Sequence, residues 1–257
     1  MGFIPNLFSL KGRTALCTGA TSGIGKHIAK TLAQSGANLI LIGRNPEKLT
    51  ETKAEFTSLG NQTIDTFLMD LSDLDQVENT SHNLLSQVSR LDILVNAAGI
   101  NLREPWEEIT TESWRQTLDI NLSIPFFLAR QCVPLMIKNN YGRIINIASL
   151  QSLRAFPNSI PYGASKGGVC QLTRAMAEAW SASSVTANAI APGFFPTPLT
   201  EPVFNNPQLV EKNAASTACG RNGRLEDLEG PALFLASPAS AYVTGQTLFV
   251  DGGFTAK

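Results

Sequence analysis

The sequence has few of the residues that build transition-metal sites. It contains two histidines and four cysteines in 257 residues, and no two cysteines form a Cys-x-x-Cys pair. Transition metals are held by such side chains at close, regular spacing. We therefore expect no transition-metal site, although carboxylates can still hold a weakly bound Mg²⁺ or Ca²⁺ ion. Cys17 and Cys132 stand in apolar stretches and are expected to be buried as small hydrophobic residues.

An excess of charge of either sign is also absent. The chain has 20 Lys and Arg against 21 Asp and Glu, a formal net charge of -1, and no block of basic residues. Nucleic-acid surfaces and polybasic membrane patches depend on concentrated positive charge, so both kinds of partner are excluded. The first residues carry no export signal, and no apolar run approaches the ~18 residues of a membrane span. These absences predict a cytoplasmic protein that binds neither nucleic acid nor a membrane.

What the chain does contain is a regular alternation of apolar runs and helical patterns. Pro46 and Asp73 stand where helices are expected to begin. Repeated β-α-β alternation with right-handed crossovers gives a parallel, doubly wound sheet. No linker or repeat divides the chain, so we predict one α/β domain over residues 1–257. Its seven predicted strands are residues 14–18, 38–42, 64–68, 93–96, 143–147, 185–191 and 247–250.

One segment, residues 193–223, interrupts this alternation. It contains Pro196, Pro198, Pro202 and Pro207, and no strand or helix pattern continues through it. A long irregular segment inside a compact domain is usually functional and is often a lid. We predict a substrate lid here, with an insertion of no function as the alternative.

A tyrosine and a lysine four residues apart, Tyr162 and Lys166, are the first sign of chemistry. This spacing places them on one helix face, one turn apart. A nearby cation favours the phenolate, so the pKa of Tyr162 is expected to fall from its usual value of about 10. A phenol of this kind can exchange protons with an alcohol or a carbonyl group. The alternative is a solvated lysine stem lying on an aromatic ring.

A glycine-rich turn follows the first predicted strand and leads into the first long helix. It contains Gly19, Ser22, Gly23, Ile24 and Gly25. Glycines there permit a tight turn and let the backbone approach a pyrophosphate, which the helix N-terminus attracts. This strand-turn-helix context predicts a dinucleotide site.

The end of the second strand predicts which dinucleotide is preferred. Folds that bind NAD usually have Asp or Glu there for the ribose 2′-hydroxyl, and this chain has Gly43 followed by Arg44 and Asn45. Arg44 offers a donor fork suited to a 2′-phosphate, which favours NADP over NAD, although a solvated loop arginine is the alternative. Asp70 follows the third strand, where it is expected either to accept from the adenine amine or to cap the next helix.

Together these segments resemble the short-chain dehydrogenase/reductase family over essentially the whole chain. The motifs that carry the resemblance are the glycine-rich turn, the run Asn96-Ala-Ala-Gly99, Ser149 with Tyr162 and Lys166, and the pair Pro192-Gly193. The resemblance implies a Rossmann-type sheet and oxidoreductase activity. It also identifies Asn121 as a fourth catalytic residue.

The resemblance implies a role for each catalytic residue. Tyr162 is the general acid or base, and Ser149 hydrogen-bonds the substrate oxygen. Lys166 lowers the pKa of the phenol and binds the nicotinamide ribose, and Asn121 supports a water linked to Lys166. The cofactor-binding residues implied by the motifs and the resemblance are Gly19, Ser22, Gly23, Ile24, Gly25, Arg44, Asn45, Asp70, Leu71, Asn96, Ala97, Gly99, Tyr162, Lys166, Pro192, Gly193, Phe195 and Thr197.

Within this family the chain looks most like the gluconate 5-dehydrogenases, which interconvert gluconate and 5-ketogluconate, commonly with NADP. The substrate-binding residues implied are Ser149, Tyr162, Gln151 for polyol hydroxyls, and Arg103 for a sugar-acid carboxylate. Leu153 departs from the acid common in that group, so the substrate is less constrained than the reaction. The family also implies a homotetramer.

Two other functions are compatible with the sequence. A reductase of 3-oxoacyl groups on a carrier protein uses the same chemistry, but it is expected to show a basic docking surface that the net charge does not favour. A catalytically silent nucleotide sensor belongs to a different class of protein, and it would usually have lost Tyr162 or Lys166.

Overall fold

Seven parallel strands form one sheet in the computed structural model, which describes residues 2–60 and 62–257. The strand order is β3-β2-β1-β4-β5-β6-β7. The strands are β1 Thr14–Thr18, β2 Asn38–Gly43, β3 Ile64–Leu68, β4 Ile93–Asn96, β5 Gly142–Ile147, β6 Val185–Pro192 and β7 Thr247–Val250. The doubly wound parallel sheet predicted from the sequence is confirmed, and each strand lies within one residue of its predicted bounds at either end.

Helices cover both faces of this sheet. They are α1 Phe3–Phe8, α2 Gly23–Gln34, α3 Pro46–Thr57, α4 Leu74–Ser86, α5 Thr111–Leu118, α6 Ile124–Lys138, α7 Ile160–Trp180, α8 Glu201–Phe204, α9 Pro207–Ser216 and α10 Glu229–Ala236. Helices α2, α3 and α10 contribute to the apolar core on one face of the sheet. Helices α4, α6 and α7 contribute to the core on the other face.

The central strands are largely apolar because both of their faces are covered. Every residue of β4, β5 and β6 is buried. Leu94 of β4 is fully buried among side chains from α4 and α6. Burying one such leucine stabilises the fold by about 1.5–3 kcal/mol.

Two helix starts predicted from the sequence are confirmed by their capping bonds. Asp73 accepts a hydrogen bond from the backbone N–H of Gln76 at the start of α4, and Pro46 occupies the first turn of α3. Asp70 is not the cap of α4, because its carboxylate accepts instead from the N–H of Ser72. The capping alternative for Asp70 is therefore wrong.

Residues 193–223 contain more regular structure than the sequence predicts. They include the short helix α8 and the ten-residue helix α9. Pro207 occupies the first turn of α9, and Asn206 accepts from the N–H groups of Gln208 and Leu209. The prolines therefore start helices here and do not exclude them, because the first turn needs no backbone donor.

One helical stretch, Thr111–Lys138, is long and apolar enough by composition alone to cross a membrane. The prediction that no run reaches this length is therefore wrong. Half of its most apolar window is buried within the protein, and α6 packs against α4 and the central strands. Its composition is thus that of a helix that covers a sheet.

The strand order places a crevice at the carboxyl ends of β1 and β4. From β1 the chain winds outward through β2 to β3, and from β4 it winds the other way to β7. The loops after β1 and β4 therefore leave in opposite directions. In open parallel sheets such a reversal point is where ligands bind.

Candidate active site

The glycine-rich turn after β1 is packed too tightly for side chains. A Cβ on Gly25 would lie 2.4 Å from the carbonyl oxygen of Gly19, and a Cβ on Gly19 would lie 2.8 Å from the backbone nitrogen of Ala98. Gly19 also has a φ of 63°, which disfavours other residues. The turn holds the N-terminus of α2 beside the end of β4 and forms a backbone cradle that fits a pyrophosphate.

Thr18, at the end of β1, fixes the position of the neighbouring loop. Its hydroxyl accepts from the backbone N–H groups of Ala97 and Ala98 at 3.1 and 3.2 Å. It also donates to the carbonyl of Val95 at 3.4 Å. The loops after β1 and β4 are therefore held together at the crevice.

A cavity of about 680 Å³ opens at this crevice and extends beneath the segment 193–223. Of the residues predicted for the site, it brings together Gly19, Ser22, Gly23, Ile24, Gly25, Ala97, Gly99, Arg103, Ser149, Gln151, Tyr162, Lys166, Pro192, Gly193, Phe195 and Thr197. The carboxyl ends of β1, β4, β5 and β6 and the start of α7 thus supply one site.

Tyr162 and Ser149 form the polar centre of the cavity. Tyr162 lies in the first turn of α7, and Ser149 follows the end of β5. Burial raises the pKa of the Tyr162 phenol, whereas a hydrogen bond with Ser149 and the charge of Arg103 lower it. The lowered pKa of Tyr162 expected from the sequence is therefore wrong, because desolvation outweighs the nearby hydrogen bond and charge.

Lys166 is buried one turn further along α7. Its ammonium donates to the carbonyl of Ile147 at 2.6 Å and lies 5.7 Å from the centre of the Tyr162 ring. Burial lowers the pKa of Lys166 from 10.5 to about 8. The lysine is therefore held at the end of β5, beside the tyrosine but directed to the backbone.

Asn121 lies behind the cavity in a π-helical turn, Asp119–Ser123, between α5 and α6. Its amide donates to the carbonyl of Ile100 at 2.9 Å and to the hydroxyl of Ser165 at 3.0 Å, and it accepts from the N–H of Ile100 at 2.9 Å. Turns of this kind recur at functional sites. A Cβ on Gly99 would lie 3.1 Å from the Asn121 oxygen and 3.6 Å from the Lys166 nitrogen, so Asn121 is close to the lysine.

The residues predicted to bind the adenosine half lie outside this cavity. Arg44 and Asn45 follow β2, and Asp70 and Leu71 follow the neighbouring strand β3. The N–H of Ser72 and the charge of Arg44 lower the pKa of Asp70. Asn45 has a structural role as the cap of α3, where it accepts from the N–H of Lys48 at 2.9 Å. Arg44 is exposed beside them and free to face a ligand.

Asn96 also lies outside the cavity, beneath the loop that it begins. Its amide donates to the carbonyl of Pro125 at 3.3 Å and to the Asn146 side chain at 2.9 Å. It is buried, so its observed role is to hold β4 against β5 and the start of α6.

The predicted substrate residues Gln151 and Arg103 stand near the tyrosine. The side-chain oxygen of Gln151 is buried and accepts no hydrogen bond from the described residues. Arg103 has a φ of 58°, and its guanidinium donates to the carbonyl of Leu199 in the segment 193–223. Both residues line the same cavity as Tyr162 and Ser149.

The sequence predicted that the segment 193–223 covers the site, but not which residues of helix α9 and of the C-terminus line it. Lys212 and Asn213 of α9 line the cavity. Phe156, Phe194 and Phe254 pack together there, with ring centres 5.7 to 6.0 Å apart. The Asn206-Pro207 pair that starts α9 was the available signal for this helix.

Comparison with known proteins agrees with this geometry. The family model described as enoyl-(acyl carrier protein) reductase matches residues 19–255. Gluconate 5-dehydrogenase of Gluconobacter oxydans is 40% identical over 251 residues, 98% of each chain. The 3-oxoacyl-[acyl-carrier-protein] reductase of Rickettsia bellii is 38% identical over 247 residues, 96% of this chain and 98% of that protein. A crystal structure of a gluconate 5-dehydrogenase from Burkholderia cenocepacia, in complex with NADP and tartrate, has a TM-score of 0.93 at 38% identity and 99% coverage of both chains.

Proposed function

Because this chain belongs to the short-chain dehydrogenase/reductase family of oxidoreductases, we propose that it interconverts a secondary alcohol and a ketone on a sugar acid, with NADP as cofactor. Gluconate and 5-ketogluconate are the proposed substrate pair. The observation that carries the proposal is the convergence of Ser149, Tyr162 and Lys166 on the cavity that the glycine cradle opens.

The catalytic side chains act on the oxygen of the substrate and on its proton. In the direction of oxidation, the Tyr162 oxygen takes the proton of the substrate hydroxyl while the adjacent carbon loses a hydride. Ser149 hydrogen-bonds the same substrate oxygen and holds it near the phenol. In reduction Tyr162 returns its proton to the oxygen. The nicotinamide, when bound, accepts or supplies the hydride.

The cofactor is supported by two separate features of the chain. The tight backbone turn at Gly19 and Gly25 forms a cradle that suits a pyrophosphate, at the N-terminus of α2. Arg44 is exposed at the end of β2 with no acidic residue at that strand end, which favours a 2′-phosphate over a free 2′-hydroxyl. The Burkholderia cenocepacia gluconate 5-dehydrogenase binds NADP.

The proposed substrate is supported by two polar groups that line the cavity with the tyrosine. Arg103 supplies a cation for a carboxylate, and the unpaired oxygen of Gln151 requires a donor such as a polyol hydroxyl. A sugar acid offers both groups in one molecule.

Titration with NADPH and NADH, followed by turnover of gluconate, 5-ketogluconate, neutral polyols and a short 3-oxoacyl thioester, tests the proposal. We expect NADPH to bind at least tenfold more tightly than NADH, a difference of about 1.4 kcal/mol, since charge-assisted bonds to a phosphate contribute this much or more. We expect the acid and its keto form to be turned over fastest. Tighter binding of NADH would contradict the role given to Arg44.

Two alternatives give different results in the same assay. Faster reduction of the thioester would favour a reductase of 3-oxoacyl groups on a carrier protein. The similarity to the Rickettsia bellii enzyme supports this alternative. Tight NADPH binding without turnover of any alcohol or ketone would favour a nucleotide sensor.

The protein is also proposed to act in the cytoplasm as a homotetramer. Trp114 of α5 and Ile160 of α7 are partly exposed on neighbouring helices, and Leu248 is exposed on the edge strand β7. These apolar groups suit burial between subunits. Light scattering that shows a monomer at micromolar concentration would exclude the tetramer.

A further inference from the structure

The cavity is lined by cations and by no carboxylate. Among the residues of the structure that line it, Arg103, Lys166 and Lys212 are basic, and none is Asp or Glu. A cleft lined by one sign of charge concentrates ligands of the opposite sign. The cavity is therefore built for ligands that carry negative charge at more than one place.

Two of these three cations already make hydrogen bonds within the site. Lys166 is bound to the carbonyl of Ile147 beside Tyr162. Arg103 donates to the carbonyl of Leu199 at 3.1 Å and thereby links the loop after β4 to the segment 193–223. The pyrophosphate is served by the backbone cradle at the start of α2. None of these contacts involves Lys212.

The Lys212 ammonium makes no ion pair and no hydrogen bond with any residue that the structure describes. It projects from α9, whose residues Leu209, Asn213 and Ser216 line the same cavity. Its immediate acidic neighbour Glu211 does not line the cavity. The ammonium is therefore available to a ligand bound beneath α9.

We propose that Lys212 is a specificity-determining residue that pairs with the carboxylate of the substrate and selects acids over neutral polyols. The proposal rests on the proposed function and extends it to helix α9, which nothing in the sequence motifs assigned. Arg103 reaches the segment from the loop after β4, and Lys212 reaches the cavity from α9. A carboxylate held by both would join the two elements and close α9 over the substrate.

Calorimetric titration of the NADPH-loaded protein with gluconate and with sorbitol tests the proposal, because neither alcohol can be oxidised when the bound cofactor is already reduced. Lys212→Met is expected to weaken gluconate binding about 5- to 20-fold, between the values for an exposed and a buried charge-assisted contact, and to leave sorbitol binding unchanged. Lys212→Arg is expected to restore most of the gluconate affinity, because it restores the charge. In turnover, the loss is expected in KM for the acid more than in kcat.

Two controls separate this role from general electrostatics. Lys53→Met makes the same substitution at an exposed lysine of α3, outside the cavity. It is expected to leave the affinities for gluconate and for sorbitol unchanged. Glu211→Gln raises the net charge of α9 by the same one unit by which Lys212→Met lowers it, and it is expected to leave the ratio of the two affinities within about twofold.

Three results would overturn the proposal. One is an unchanged gluconate affinity in Lys212→Met, another is an equal loss for gluconate and sorbitol, and the third is a loss confined to NADPH affinity. If the proposed function is wrong, the unaltered protein will not turn over sugar acids. That outcome is measured separately, because the ratio of gluconate to sorbitol affinity does not depend on turnover.

Discussion

Replacing Lys166 by methionine is expected to abolish activity and to stabilise the cofactor-free protein at neutral pH. The ammonium is buried, with one carbonyl as its recorded hydrogen-bond partner. Its pKa is lowered from 10.5 to about 8, chiefly by burial. The native state therefore disfavours the charged lysine, and an unbranched apolar side chain of similar length removes that cost.

The size of the effect follows from the shift in the pKa. Each pKa unit corresponds to about 1.4 kcal/mol, so the shift of Lys166 costs about 3 kcal/mol at pH 7. The variant also loses the hydrogen bond to Ile147, which reduces its gain in stability by about 1 kcal/mol. Lys166→Met is therefore expected to be more stable than the unaltered protein by about 2 kcal/mol at pH 7.

The sign of the pH dependence is opposite to that of a stabilising salt bridge. The folded-state pKa of Lys166 lies below the unfolded value, so the cost is fully present below about pH 8. It is relieved between about pH 8 and 10.5, where the folded lysine has lost its proton and the unfolded one keeps it. By pH 9.5 the advantage of the variant is expected to fall to roughly zero.

Urea unfolding of both proteins at pH 7 and pH 9.5, without cofactor, measures this difference. Lys53→Met serves as the control, because that lysine is exposed and its replacement is expected to change stability equally at both pH values. A Lys166→Met protein that is no more stable than its parent at pH 7, or an advantage that does not change with pH, would refute the reasoning.

Two further predictions concern the phenol and the glycine cradle. Ser149→Ala is expected to raise the pKa of Tyr162 further, because it removes a hydrogen bond that lowers it. The alkaline rise of kcat for alcohol oxidation then moves to higher pH, and an unmoved pH profile would contradict this. Gly25→Ala is expected to weaken NADPH binding by at least about tenfold, since its Cβ would lie 2.4 Å from the Gly19 carbonyl. Gly230→Ala in α10, with no atom within 4 Å of the new Cβ, is the matched control, and equal NADPH affinity in both variants would contradict a tight cradle.

Sequence alone was sufficient for the sheet and for most of the cofactor cradle, for a physical reason. Strands covered on both faces are largely apolar, so the bounds of β1 and β4 follow from their own composition. The turn that follows β1 must be glycine-rich because backbone atoms approach one another there. Such requirements are local, and local requirements can be read from consecutive residues.

Charge and burial at the site could not be predicted in this way. The spacing of Tyr162 and Lys166 correctly placed both on one face of α7, but it did not show that the lysine is bound to Ile147 on β5. Whether the pKa of the phenol rises or falls depends on burial by residues distant in sequence. Lys212 was missed for the same reason, since only the packing of α9 over the crevice brings it into the cavity.

The absence of carboxylates from the cavity wall links these observations. Arg103, Lys166 and Lys212 line the cavity without an acidic residue among the described lining residues, so the cofactor-free chain has no protein charge there to compensate them. An anionic dinucleotide and a sugar acid supply that compensation. A ligand that binds only the folded state, at a concentration of 100 times its Kd, adds about 2.7 kcal/mol of stability. The burial that makes the charge of Lys166 costly therefore also strengthens its attraction for anions, because charges interact more strongly where water is excluded.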